Sequence, residues 1–319
     1  MKKIGIKHLR FLTDEFGIWQ HTKGKKIDKK MGYALDDSAR ALVFAALGGF
    51  KAEAKIYLQY VLKSVESDSN FFTPGRKPIK FPMSDDAMGQ AYWASSLCLQ
   101  SGIHSRLSEQ VINKIHPKLS RIANIRGRNY VLLGSSKYDH DLTTVLVDYI
   151  KQEFYLHSTK NWKWPENRLT YGNAIIPLSV LAASEDLMDK ELEEIGLSML
   201  DFLNRRAKYQ KIPIAIGNKG WYIKGGKKGL FDQQPIDPAY QVMANVKAYE
   251  ISRERKYLEE AVVYFEWFWG KNIAGKSLVD QENESVRDGI MESGLSNNRG
   301  AENIACYLIA QQMLDKFVK

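Results

Sequence analysis

The chain has 319 residues, with 46 Lys and Arg against 37 Asp and Glu and a formal charge of +9. Hydrophobic residues make up 44% and charged residues 26%, near the globular averages of ~45–50% and ~25%, which excludes a disordered, fibrous or coiled-coil protein. No apolar run reaches the ~18 residues of a membrane span, and scattered bases without a helix-turn-helix, zinc-finger or RRM signature speak against nucleic acid.

In chain order, Met1–His8 is basic but leads into no apolar segment, so no secretory signal is expected. The two cysteines, Cys98 and Cys306, each lie in an apolar stretch and read as buried thiols of a cytoplasmic protein. Ile6–Thr13 is a short helix. Ala39–Gly49 (ARALVFAALGG) is apolar nearly all round, whereas Ala52–Glu66 carries a polar stripe at Lys55, Gln59, Lys63 and Glu66. The alternation continues. Ala87–Leu99, Asn173–Ala183, Ala239–Ile251 and Ala301–Met313 are of the first kind. Met188–Lys208 and Tyr257–Trp269 are of the second, with apolar residues at steps of three and four. Arg121–Gly134 joins the first kind although Arg126 and Arg128 fall in its middle, and Asp139–His157 is its amphipathic partner. Phe71–Phe81 and Ile212–Ile223 read as short hairpins or ordered loops.

A helix without a polar face has to be buried on every side, and small residues let such helices crowd round a centre. Six of them, enclosed by six amphipathic ones, predict an all-α fold, the (α/α)6 barrel or six-hairpin toroid. Its sixth outer helix is the N-terminal one. No linker rich in Pro, Gly or Ser divides the sequence, so residues 1–319 are expected to form a single toroid domain.

Polar and aromatic residues gather just ahead of the buried helices, at what would be one mouth of the barrel. The segments are 32–40 (GYALDDSAR), 84–90 (SDDAMGQ), 162–173 (WKWPENRLTYGN), 231–237 (FDQQPID) and 296–302 (SNNRGAE). Asp36, Asp85 and Asp237 precede helices and are expected to cap them. Capping does not explain Asp37, Asp86, Glu166 or Asp232. Trp19, Trp162, Trp164 and Trp221 also fall in these connections. Aromatic faces beside carboxylates and amides suit a sugar, whose C–H face stacks and whose hydroxyls need donors and acceptors. Paired carboxylates are what glycoside hydrolysis needs. Glu166, beside Trp162, Trp164 and Pro165, is the expected general acid, because apolar surroundings raise a carboxyl pKa. Its partner base is Asp37 or Asp232. Asp36, Arg40, Asp86, Trp164, Arg168, Tyr171, Asn173, Trp221, Gln233, Gln234, Asn298 and Glu302 are expected to hold substrate.

Other chemistries lack their signatures. The six histidines show no HExxH spacing, there is no Walker loop, GxGxxG or GxSxG, and no calcium loop. No metal and no cofactor are expected.

GYALDDSARAL at 32–42, SDDAMGQAYWA at 84–94, WPENRLTYGNAIIP at 164–177, IGNKGWY at 216–222, FDQQPID at 231–237 and NNRGAENIACYL at 297–308 together resemble one family. It is the α/α-toroid domain found fused to or beside bacterial and archaeal glycosyltransferases, similar to the six-hairpin glycosidase superfamily. FLTDEFGIWQH at 11–21 fits it too. Gly172 stands where that family has Asp, and 121–134 matches poorly. The resemblance implies carbohydrate chemistry, with an oligosaccharide or glycoconjugate as substrate and a glycosyltransferase as partner. The expected function is an intracellular glycoside hydrolase. A glycan-binding domain and a phosphorylase using Arg40, Arg168 and Arg299 are the alternatives.

Overall fold

The computed structural model describes residues 2–318. Among them the helices run α1 (Lys7–Leu12), α2 (Leu35–Gly48), α3 (Lys51–Ser67), α4 (Asp85–Gln100), α5 (Ser105–Ile115) and α6 (Ile125–Ser135). There follow α7 (His140–His157), α8 (Ile175–Leu187), α9 (Lys190–Arg206), α10 (Ile236–Ser252), α11 (Arg255–Phe268) and α12 (Ala301–Leu314). The even-numbered helices form a closed inner ring, each packed on the next and α12 returning to α2. The odd-numbered helices stand outside, and α1 closes the set by packing on α12. Gln311 on α12 fastens this closure, its amide bonding both the N–H and the carbonyl of Ile4 at 3.1 and 3.0 Å. The fold is an (α/α)6 toroid.

Small residues decide how close the inner helices come. Gly89 on α4 faces Gly127 on α6, and a Cβ on Gly89 would overlap the Gly127 carbonyl oxygen. Alanine at position 89 gains helix propensity but pushes two backbones apart, which outweighs the gain. Gly89→Ala is expected to destabilise the fold by about 2 kcal/mol or more, read from the urea midpoint. An unchanged midpoint would mean that the ring has slack here.

The third inner helix begins later than the sequence pattern suggests. A 3-10 turn, His116–Arg121, precedes it, and Asn124 caps it by accepting from the Arg126 N–H at 2.8 Å. Arg126 and Arg128 thus occupy its first turn rather than its middle, so Arg126 stands at the mouth.

The capping expectations are corrected as well. The N-cap of α4 is Ser84, whose hydroxyl accepts from Ala87 N–H. Asp85 instead accepts the N–H groups of Ala123 and Asn124 at 2.8 and 2.7 Å, holding the approach to α6. Ala34 and Pro235 sit at the cap positions of α2 and α10, which leaves Asp36 and Asp237 inside the first turns. Their side chains are free for other partners.

Candidate active site

The first turns of all six inner helices meet at one end of the ring. Arg40 of α2 reaches Glu302 of α12, Tyr171 ahead of α8 reaches Asp86 of α4, Arg126 of α6 reaches Asn173, and Asn173 reaches Asp237 of α10. Helix N-termini carry a partial positive charge, and Asp36, Asp37, Asp85, Asp86, Asp237 and Glu302 in these first turns answer it.

One cluster is built round Arg40. Its buried guanidinium lies 2.9 Å from Asp36, 3.9 Å from Asp37 and 3.1 Å from Glu302. Asp36 and Glu302 keep 31% and 27% of their side-chain surface, against 6% for Asp37, so the first two are reachable and the third lies beneath them. Burial and the neighbouring Asp36 charge hold the Asp37 carboxyl well above its usual range. Burial also raises Glu302, against the pull of Arg40. One oxygen from each of the three acids lies within 4.8 Å of the others, the spacing of a metal-ligand set. Arg40 already supplies a cation among them. Asp288 borders the cluster and accepts from Gly300 N–H and Asn303 Nδ2.

The second group spans α4, α6 and the 164–173 connection. Arg126 pairs with Glu166 at 3.1 Å and lies 4.9 Å over the Tyr171 ring, while Tyr171 donates its hydroxyl to Asp86 at 2.7 Å. Burial raises the Asp86 carboxyl; the Tyr171 bond and the Arg126 and Arg40 charges oppose it. Glu166, Arg168, Tyr171 and Trp221 line an open cavity of about 420 Å³ with Arg126 and Tyr149. Arg168–Leu169 pairs with Tyr222–Ile223, which brings Trp221 to this wall.

Asp237 joins the two groups. It is 8% exposed, and its Oδ1 accepts from both the backbone N–H and Nδ2 of Asn173, at 3.2 Å each. Its Oδ2 makes no hydrogen bond to the described residues. Burial raises its pKa to about 7, against the Asn173 bonds and the Arg126 charge, with Glu302 adding to the rise. Below lies a hydrogen-bonded pair, Tyr130 and Tyr240, 3.0 Å apart. Gly172, at φ +54°, stands over that pair: a Cβ there would meet the Tyr240 ring and the Tyr130 hydroxyl at contact distance, 3.9–4.0 Å.

Several expected site residues are placed elsewhere. Trp164 is fully buried against Phe202, and Trp162 packs edge-on to Phe202 and Tyr222. Neither ring lies on Glu166; only the Trp162 Nε1 meets its backbone carbonyl, at 2.7 Å. The apolar pocket expected round the Glu166 carboxylate is therefore filled by Arg126. Asn173 spends its whole amide on Thr170, Arg126 and Asp237. Gln233 spends its own on Ala215, Trp267 and Leu230. Both are struts beneath the mouth. Asn298 accepts from Gly24 N–H on an exposed loop. Asp232 and Gln234 are half-buried in the 231–235 loop, Asp232 at φ +58°, and no bond ties the Asp232 carboxylate to the Arg40 cluster. The three arginines expected for phosphate do not assemble: Arg40 faces its acids, Arg168 is exposed at the other wall, and Arg299 pairs with Asp280. Asp237 and Arg126 were legible only as a cap and as an interruption of a helix.

No family model and no curated protein matches the chain. Solved structures do. A sugar epimerase from a ruminal bacterium superposes with a TM-score of 0.71 at 12% identity, over 98% of this chain and 96% of that one. A D-mannose isomerase gives 0.70 at 14%, over 96% and 95%. The GH76A α-1,6-mannanase of Salegentibacter sp. gives 0.69 at 8%, over 98% and 97%. At these identities the likeness shows the fold alone.

Proposed function

We propose that this chain is a carbohydrate-active enzyme of the glycoside hydrolase class, acting on an oligosaccharide or glycoconjugate at the mouth of its toroid. Residues 1–319 serve as one domain in this proposal; a cytoplasmic location comes with it from the two cysteines in apolar segments, and a glycosyltransferase partner from the sequence resemblance. The observation that carries it is Asp237. A carboxyl with a pKa of about 7 holds its proton near neutral pH, which matches what a general acid needs. On α12, the neighbouring inner helix, and α2 beyond it, Glu302 and Asp36 are reachable carboxylates.

In this reading Asp237 Oδ2–H gives its proton to the glycosidic oxygen as the C–O bond breaks. Glu302 takes a proton from the water that attacks the anomeric carbon, so one water is added across the bond. Asp37 and Arg40 hold Glu302 in place. Trp221 and Tyr171 offer ring faces to a sugar, and Asp86 and Glu166 offer acceptors to its hydroxyls. The named activities of the neighbouring folds, sugar epimerisation, mannose isomerisation and mannan cleavage, all fall within carbohydrate chemistry. The scattered arginines give no support to phosphorolysis.

An oligosaccharide and aryl-glycoside panel, followed by mass spectrometry and NMR, tests the proposal. Hydrolysis adds one water and creates a new reducing end. Conversion without a change of mass would replace hydrolysis by isomerisation, and binding without turnover would replace the enzyme by a glycan-binding domain.

A further inference from the structure

Away from the Arg40 cluster, one cavity is built mainly from bases. It measures about 160 Å³ and is lined by Lys7, His8, Lys25, Arg299, Asn283 and Ser285, with the Phe11 ring beside them. These residues come from α1, the turn after Thr22–Lys23, the strand Ser285–Val286 and the approach to α12. Four bases from three distant parts of the chain converge there, and no carboxylate lines the space.

The counter-charge is thin. Asp280, behind the cavity, is shared between Arg299 at 3.4 Å and Lys25 at 3.7 Å. Lys7 Nζ meets only the Glu282 carbonyl, at 3.3 Å, while the Glu284 carboxylate accepts from the Lys7 backbone N–H. His8 donates Nε2–H to the Arg299 carbonyl at 3.0 Å and stacks on Phe11. Two lining side chains are buried with unpaired groups: Ser285, fully buried, at its hydroxyl, and Arg299, 4% exposed, at Nε. Buried donors without acceptors are costly to leave unpaired. Burial and the nearby Arg287 charge lower the Arg299 pKa, and burial lowers that of His8, so the charged forms of both are disfavoured here.

A tetrahedral oxyanion meets these demands together. It brings negative charge to Lys7, Lys25 and Arg299 and acceptor oxygens to Arg299 Nε and the Ser285 hydroxyl, whereas the other Arg299 nitrogens and the Asn283 amide already donate to the Asn297 carbonyl and Asp280. The volume of about 160 Å³ accommodates such an anion. We propose that this cavity is a binding site for phosphate or the phosphate group of a phosphorylated sugar, separate from the carboxylate-lined mouth. The site does not depend on which reaction the mouth performs.

Thermal unfolding of the whole chain with rising inorganic phosphate, at constant ionic strength, tests the site. The expected result is a saturable rise of Tm, as ligand linkage requires. Arg299→Gln should abolish it. Because Arg299 is buried and its loss also burdens the fold, a double variant of the exposed lysines, Lys7→Ala with Lys25→Ala, is the second arm. It should keep its Tm without phosphate and weaken phosphate binding by about tenfold or more, the scale of lost charge-assisted bonds. A parallel titration with glucose 6-phosphate separates the sources: tighter binding than inorganic phosphate assigns the site to a phosphorylated sugar, and equal or weaker binding to the free ion. A Tm rise that is linear, without saturation, and equal in wild type and the lysine variant is general salt exclusion and would overturn the proposal. So would no rise at all.

Discussion

Asp237→Asn is expected to lower turnover by about two or more orders of magnitude, the usual scale for a lost acid–base group, while the protein stays folded. Asparagine keeps an Oδ1 to accept from Asn173, so the strut between α8 and α10 survives. It has no proton to give at neutral pH. Removing a buried ionisable group also relieves the fold of a desolvation cost above the carboxyl's pKa of about 7, so Tm near pH 8 should hold or rise. In the wild type, activity should fall on the alkaline side with a midpoint near that pKa, because the acid must be protonated to work. Glu166→Gln makes the contrast. It loosens the pair with Arg126 at the 420 Å³ wall, which should raise KM and leave kcat nearly unchanged. Steady-state kinetics of both variants on the active glycan, with circular dichroism to confirm folding, decide the matter. A fully active Asp237→Asn would remove Asp237 from the chemistry and return the acid role to Glu166.

The toroid was legible because its physics is repetitive. Helices such as Ala39–Gly49 and Ala301–Met313 have no polar face, and only a ring buried on both sides accommodates six of them. The N-terminal closure followed from counting partners. The exception was the third inner helix, where Arg126 and Arg128 masked the apolar pattern. Both arginines find partners outside their own helix, Arg126 in Glu166 and the Tyr171 carbonyl, Arg128 in the Ile122 carbonyl and the Tyr149 ring. Periodicity has no means of showing such partners.

The mouth was legible as a region but not residue by residue. A polar residue ahead of a helix can cap it, brace a neighbouring loop or face a ligand, and the same letter serves all three. Gln233 and Asn173 brace; Asp85 braces; Asp36 meets Arg40; Asp237 is buried with only one oxygen bonded. Trp164 next to Glu166 suggested an apolar pocket, yet in an irregular loop adjacent side chains diverge, and the ring turns under the loop to Phe202. The Arg40 cluster lay half in view. Asp36, Asp37 and Arg40 share one helix turn, but Glu302 arrives from the far end of the chain through the closure of the ring.

That cluster sets the second large effect. Arg40→Met is expected to cost about 3–5 kcal/mol near pH 8, the range for removing one partner of a buried charge network. Methionine fills much of the same space but leaves Asp36, Asp37 and Glu302, with oxygens within 4.8 Å of one another, facing each other without a cation. The sign of the pH effect follows from protons. The pKa values of Asp37 and Glu302 already stand above their usual range in the folded wild type, so between that range and the raised values the folded state holds protons that the unfolded chain has released. Stability on this account falls as pH rises. Losing Arg40 raises those carboxyls further and steepens the fall. Asp237 and Asp288, raised by burial, give both proteins a common slope in the same direction, which His8, lowered by burial, partly opposes; Asp86, which the Arg40 charge also lowers, shifts together with the cluster. The difference between variant and wild type therefore isolates the cluster. Urea unfolding at about pH 5.5 and about pH 8, compared with the reference carboxyl pKa near 4, should show most of the variant's loss at the higher pH and a large recovery at the lower. An equal loss at both would mean that Arg40 serves the fold through packing and that the three acids do not need its charge.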